Sequence, residues 1–426
     1  MLDDLYGNPL HTGSQAARDA YIEAMTGYLE ALPGVDAALD RAIEADPDFA
    51  LAIALKARHA QVYARMDEAR ALMAEALEKG AGLTGRARSY LDIFDHLTQG
   101  RVRQGYAAVR AHLMDFPRDA LVAQTCLGVF SLIGFSGQPG REAEHLALAE
   151  VLAPHYGEDG WFLGQLAFAQ LEAGRLAPAE AAIERSLALR PQSGHGSHIR
   201  AHLYYEAGEA EAGLDYLSGW MQGYDRAGLM HCHNAWHCAL WALGQGDTGR
   251  MWAIVDADLL PEVTQSPGLN VLTDLAALYW RAEMAGEPVA PERWRAVSDF
   301  ASAAFPQPGL GFADIHAALA HAMAGNEAPL MRIAEAPKGP VADLVTPCAE
   351  AFRAFAAQDW AAAEAALLPV MADHARLGGS RAQRDLLELS LAQAMIRQGR
   401  PDEARRLIAM RRPRAGISSS VQGLAA

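Results

Sequence analysis

Between His231 and Asp247 the sequence reads HCHNAWHCALWALGQGD, with three histidines, two cysteines and two tryptophans in one run of helical length. On a helix, His233 and His237 are four residues apart and share a face, while His231 points away from them. Upstream, His198 and His202 repeat that spacing, and Glu206 extends the stripe by another four residues. Imidazole nitrogens suit zinc, iron and related metals, and two helices each carrying such a pair could complete a ligand set. The usual local signatures are absent, however. Ile199 and Asn234 stand where a zincin helix needs Glu, and HCHNAWHC lacks the separated pairs of a zinc finger. The sequence therefore leaves metal and cofactor unassigned. Cys232 and Cys238 read as small buried residues.

Burying His198, His202, His233 and His237 in a dry core is expensive without matching acceptors, so a polar inner channel accommodates them better. Acidic and aromatic residues stand ready as partners. Asp274 or Asp314 beside a histidine would fix its tautomer and raise its pKa, the pairing a general base requires. Read structurally, both aspartates are helix-start residues. His316 follows Asp314 by two, and Trp236 and Trp280 offer apolar walls, with Tyr279 beside Trp280 and Arg281 as an anion contact. In LGGSRAQRDLLE, Ser380 is suited to cap the helix that follows. Arg384 and the free amides there could hold a carboxylate or phosphate, or simply form an ion pair within that helix.

Apolar residues recur at three- and four-residue steps, in Ala- and Leu-rich segments, and almost nowhere with period two. Glycines punctuate the segments at Gly100, Gly174, Gly208, Gly246, Gly286, Gly325 and Gly399. Steps of 34 residues from Gly174 to Gly208 and 38 from Gly208 to Gly246 suit a helix–turn–helix unit. In GRLAPAEAAIERSLALRP, Gly174, Leu176, Ala179, Ile183, Ser186, Leu187 and Pro191 fall at tetratricopeptide-repeat spacings. The expected fold is all-α, a tetratricopeptide-like superhelix of stacked antiparallel helix pairs. Composition and breaks divide it into regular pairs over 1–191, a His-rich centre over 192–311, further repeats over 312–412 and a mobile or weakly docked tail over 413–426.

A net charge of −16 argues against nucleic acid and against an anionic membrane as partners. The start, MLDDLYGNPL, carries acids where a secretory signal needs positive charge, and LVAQTCLGVFSLIGF is too short and polar to span a bilayer. Four scattered cysteines make no disulfide framework, so a cytoplasmic protein with reduced thiols is expected. No nucleophile elbow or dinucleotide fingerprint occurs.

Six stretches spread in order along the chain carry a resemblance: DLYGNPLHTGS, HIRAHLYYEAGE, HNAWHCALWALGQGD, DLAALYWRAEMAG, GFADIHAALAHAMAG and RLGGSRAQRDLLE. Together the sequence resembles the tetratricopeptide repeat protein 38 family. The resemblance implies a tetratricopeptide-like superhelix and brings no established activity with it. The expected function is binding of a small polar ligand or a peptide segment in an inner pocket lined by His198, His202, His233, Trp236, His237, Asp274, Trp280, Asp314, His316 and Arg384. A hydrolytic or acid–base enzyme using the same residues, with or without a metal, and a protein-docking scaffold stay open as alternatives.

Overall fold

A computed structural model describes residues 2–411 and 421–424. Within them lie 22 α-helices, most of them two to four turns long, and one isolated β pairing between Asp3 and Pro9. All seven punctuating glycines take positive φ, between +70° and +86°, which closes one helix and launches the next. The repeat read from Gly174 to Pro191 is the second helix of one pair, Leu176–Leu189, packed on Gly160–Glu172. Ala179, Ile183 and Ser186 are the buried contact face, and the Ser186 hydroxyl donates to the Gly160 carbonyl at 2.7 Å. Gly164 sits where an added Cβ would lie 3.2 Å from Ser186 Oγ, so the two backbones approach closely because both residues are small.

Six helices position the candidate site: α1 (Gly160–Glu172), α2 (Gly194–Ala207), α3 (His231–Gly244), α4 (Gly268–Ala285), α5 (Gly311–Ala324) and α6 (Arg381–Arg397). In α3 every residue from His231 to Leu243 is buried, and α4 is buried from Asn270 to Ala282. Helices covered on all sides are the inner layer of the superhelix, while their partners carry the solvated faces.

Contacts far apart in sequence curl the stack back on itself. The Tyr224 hydroxyl donates to the Ala31 carbonyl. Arg376 Nε donates to the Gly137 carbonyl at 2.9 Å, and the Arg141 guanidinium reaches the carbonyls of Ala375 and Gly379. Early, middle and late repeats thus meet around one central cavity. No helix among the described residues is long and apolar enough to cross a membrane.

Part of the tail is described, and it is docked. Val421 and Leu424 are buried, and the Gln422 amide donates to the Met284 carbonyl at 2.9 Å. Residues 412–420 and 425–426 lie outside the described residues.

Candidate functional site

The central cavity has a volume of about 880 Å³ and takes its lining from helix pairs along most of the chain. One wall is polar, formed by Gln165, His195, His198, His233, Asn270 and Gln383. Apolar residues also line it, Phe130, Phe135, Met230 and Leu269 among them. Successive polar residues come from successive inner helices: Gln165 on α1, His195 and His198 on α2, His233 on α3, Asn270 on α4.

Behind that wall the two histidine pairs converge. The coordinating atoms of His198, His202, His233 and His237 all lie within 4.8 Å of one another. Each pair is one helical turn apart on its own helix, and packing of α2 against α3 brings the pairs together. His198 and His233 reach the cavity, whereas His202 and His237 are completely buried behind them. The His202 and His198 Nε2 atoms stand 2.8 Å apart, and the His198 and His233 ring centroids 4.8 Å.

Burial disfavours charge on three of these rings. Burial, and then repulsion from the neighbouring rings, pushes His198, His202 and His237 well below the ordinary histidine range. His195, beside them, is pushed down to about 4 by burial alone. Asp274 supplies the nearby negative charge: both its oxygens lie within 2.9 Å of His233 Nδ1. A carboxylate there enforces an Nδ1–H tautomer and leaves the Nε2 lone pair free. Burial raises the Asp274 carboxyl from its usual range, and His233 is the main opposing influence. Several ring nitrogens in the cluster, His202 Nδ1 and both of His237, have no hydrogen-bond partner in the protein. An imidazole left so costs about 1–3 kcal/mol in a buried place.

Trp236 braces the cluster, stacking on His233 at 5.0 Å and meeting His237 edge-on at 4.9 Å. The flanking histidine His231 does turn elsewhere, toward Asp258 at 3.5 Å.

Of the other expected residues, Asp274 joins the cluster, while Trp280, Asp314, His316 and Arg384 find partners elsewhere. Asp274 is not a helix-start residue, since it stands in the second turn of α4. Trp280 is no cavity wall: its indole N–H donates to Ser390 Oγ at 2.8 Å and its ring meets Phe355 edge-on. Tyr279 likewise packs between Trp252 and Trp294. Arg281 donates to the Ala382 carbonyl and to Tyr205, so its role is to join α4 to α6. Asp314 accepts from the Gly309 amide at 3.0 Å, and His316 Nδ1 donates to the Phe312 carbonyl one turn back, at 2.7 Å. Two residues apart on one helix, they point in different directions and do not pair. Burial raises Asp314 to about 6 and lowers His316 to about 4.

Arg384 and its helix start also serve structure. Ser380 and Gln383 form a reciprocal capping box on α6. The Arg381 amide donates to Glu172, and Arg384 pairs with Glu142 and, at 3.8 Å, with Glu172. A carboxylate does occupy this helix start, but it belongs to the protein itself. The Arg384 ion pairs tie α6 to the helices near residues 142 and 172.

Sequence reading missed Gln165, His195, Asn270 and Gln383. A usable signal existed. Gln165, His198, His233 and Asn270 follow at steps of 33, 35 and 37 residues, close to the spacing of the turn glycines. One further relay escaped notice: His112 bridges Ser89 Oγ at 2.9 Å and Asp119 at 3.1 Å. These three residues are not among the described residues that line the cavity, and Arg86 neutralises Asp119.

Fold and site together define an all-α tetratricopeptide-like superhelix around a histidine-walled cavity. No family model matches the chain. Among solved structures, a human IFIT1 dimer with m7Gppp-AAAA is similar at 12% identity, over 96% of this chain and 97% of that one, with a TM-score of 0.46. Yeast Tom70 is similar at 14% identity over 92% and 82% of the two chains, with a TM-score of 0.33. The tetratricopeptide-repeat domain of P58(IPK) is similar at 13% identity over 93% and 88%, with a TM-score of 0.24. At these identities the likeness concerns the helical-repeat fold alone.

Proposed function

We propose that the protein is a tetratricopeptide-type binding protein whose central cavity takes a small polar ligand with an apolar portion. One observation carries this reading: polar side chains from four successive inner helices and from α6 converge on one cavity of about 880 Å³. That volume falls within the range of about 300–1,000 Å³ typical of small-molecule sites. The polar lining offers amides and imidazoles for directed hydrogen bonds, and Phe130 and Phe135 add apolar surface. Gln383 Nε2 is a buried donor with no protein partner, suited to a ligand oxygen.

An acid–base enzyme is the second reading, favoured by the His233–Asp274 contact at 2.8 Å beside the cavity. We also place the chain in the tetratricopeptide repeat protein 38 family on the six stretches quoted above.

The test is a thermal-shift panel of small metabolites, peptides and short oligonucleotides, followed by calorimetry on the hits. Wild type is expected to be stabilised by a small molecule, since a ligand bound only to the folded state raises stability by mass action. Leu269→Trp, which fills the cavity, should fold and lose that response. Stabilisation by peptides or oligonucleotides alone, or an unchanged response in Leu269→Trp, would overturn the reading.

A further inference from the structure

We propose that His198, His202, His233 and His237 form a binding site for one divalent first-row transition-metal ion, set in the cavity wall. The proposal does not depend on the identity of the cavity ligand. It rests on geometry first. Four imidazoles from two adjacent helices bring coordinating nitrogens within 4.8 Å of one another. Nitrogens of a tetrahedral site, at bond lengths of about 2.0–2.1 Å, are separated by about 3.4 Å. Shifts of under about 1 Å in each ring, within reach of side-chain rotation, therefore close the set around an ion.

The second observation is the poor hydrogen bonding of the cluster. A structural histidine network satisfies its donors and acceptors, because a buried orphan is costly. Here His202 Nδ1 and both nitrogens of His237 have no partner. His198 and His202 direct Nε2 at Nε2. Two such nitrogens facing each other at 2.8 Å need one proton shared between them, or a cation shared by both.

The third is the supporting shell. Asp274, on α4, holds His233 by Nδ1, which leaves Nε2 aimed at the cluster. Metal-bound histidines are commonly oriented by a carboxylate in this way. Trp236 stacked on His233 fixes the ring plane.

Ligand chemistry selects the ion. An all-imidazole set suits zinc, copper, nickel or iron and excludes magnesium and calcium, which take oxygen ligands. Cys232 and Cys238 are not ligands: Cys232 lies 3.9 Å from Asp274 and Cys238 accepts from Ser218. Four neutral ligands carry none of the charge needed to offset the ion, and the Asp274 carboxylate touches the set through His233. With His198 and His233 at the cavity surface, a further position faces the cavity and takes water or an anionic oxygen donor.

The full-length protein, stripped by chelator and confirmed folded by circular dichroism, is dialysed against Zn²⁺, Ni²⁺, Co²⁺ or Mg²⁺ and its metal content measured. About one equivalent of Zn²⁺ or Co²⁺ per chain is expected, with none of Mg²⁺. The Co²⁺ form should show d–d absorption and an X-ray absorption edge fitted by nitrogen ligands. His202→Gln and His237→Gln should each abolish stoichiometric loading, and Asp274→Asn should weaken it about 10–100-fold. Less than a tenth of an equivalent on folded wild type, oxygen-only ligation of Co²⁺, or full loading of both folded histidine variants would overturn the site. If a variant fails to fold, the wild-type absorption fit decides.

Discussion

His198 and His202 face each other one helical turn apart, Nε2 to Nε2, at 2.8 Å. In the metal-free protein one ring must donate and the other accept, so the pair holds a single proton between the two nitrogens. A second Nε2–H would set two donors face to face, and protonating both rings would set two cations side by side in a buried place. Neighbouring histidines share this predicament, and it governs how the fold responds to acid.

The pH dependence follows with a definite sign. The folded pKa values of His198, His202 and His237 lie well below the ordinary value, chiefly through burial. Below about pH 6.5 the unfolded chain takes up protons at these positions and the folded chain does not. Stability is therefore fully present above that pH and is lost as pH falls, by about 1.4 kcal/mol per pH unit for each histidine. Asp274 and Asp314, raised in the fold, act in the opposite direction, so a difference measurement is needed. In chelator, urea unfolding of His237→Gln between pH 6.5 and 5 should give a slope shallower than wild type by about 1.4 kcal/mol per pH unit. An unchanged slope would show that His237 protonates freely in the folded state.

Trp280 provides a separation between core and cavity. Its bond to Ser390 and its contact with Phe355 place it in the packing of α4 against later helices. Trp280→Phe should lower unfolding free energy by about 1–3 kcal/mol, since Ser390 loses a buried partner and a small void opens. Small-ligand affinity of the folded variant, measured by calorimetry, should stay within twofold of wild type. A tenfold loss would restore Trp280 to the cavity wall.

Arg384 joins α6 to carboxylates more than two hundred residues upstream. Breaking one partner of a buried ion pair costs about 3–5 kcal/mol because the other charge is stranded. Arg384→Ala is expected near the lower end of that range, as Glu142 is 25% exposed and Glu172 keeps the Arg381 amide. Phosphate should leave the melting temperature of wild type unaltered, since Glu172 already occupies that helix start.

The cap of α6 is a third point of leverage. Ser380 is fully buried and its hydroxyl accepts the Gln383 amide, while the Gln383 side chain accepts the Ser380 amide. Ser380→Ala should cost about 1–2 kcal/mol in urea unfolding, and Ser380→Thr less. Equal losses for the two would point to packing against the hydroxyl's surroundings in place of capping.

What the residues alone revealed was local. Histidines four apart share a helix face whatever surrounds them, and glycines at a repeating step close helices through left-handed backbone. Both follow from the geometry of one or two turns, and so did the cap at Ser380. Convergence was not local. Asp314 and His316 have the same composition as Asp274 and His233, yet the first two diverge on one helix while the latter two meet across a helix interface. Arg384 looked free for an external anion because Glu142 and Glu172 are invisible from its own turn of helix. Superhelical curvature, set by the summed packing of every pair, decides which inner faces look into the same hollow, and only the assembled chain contains that sum.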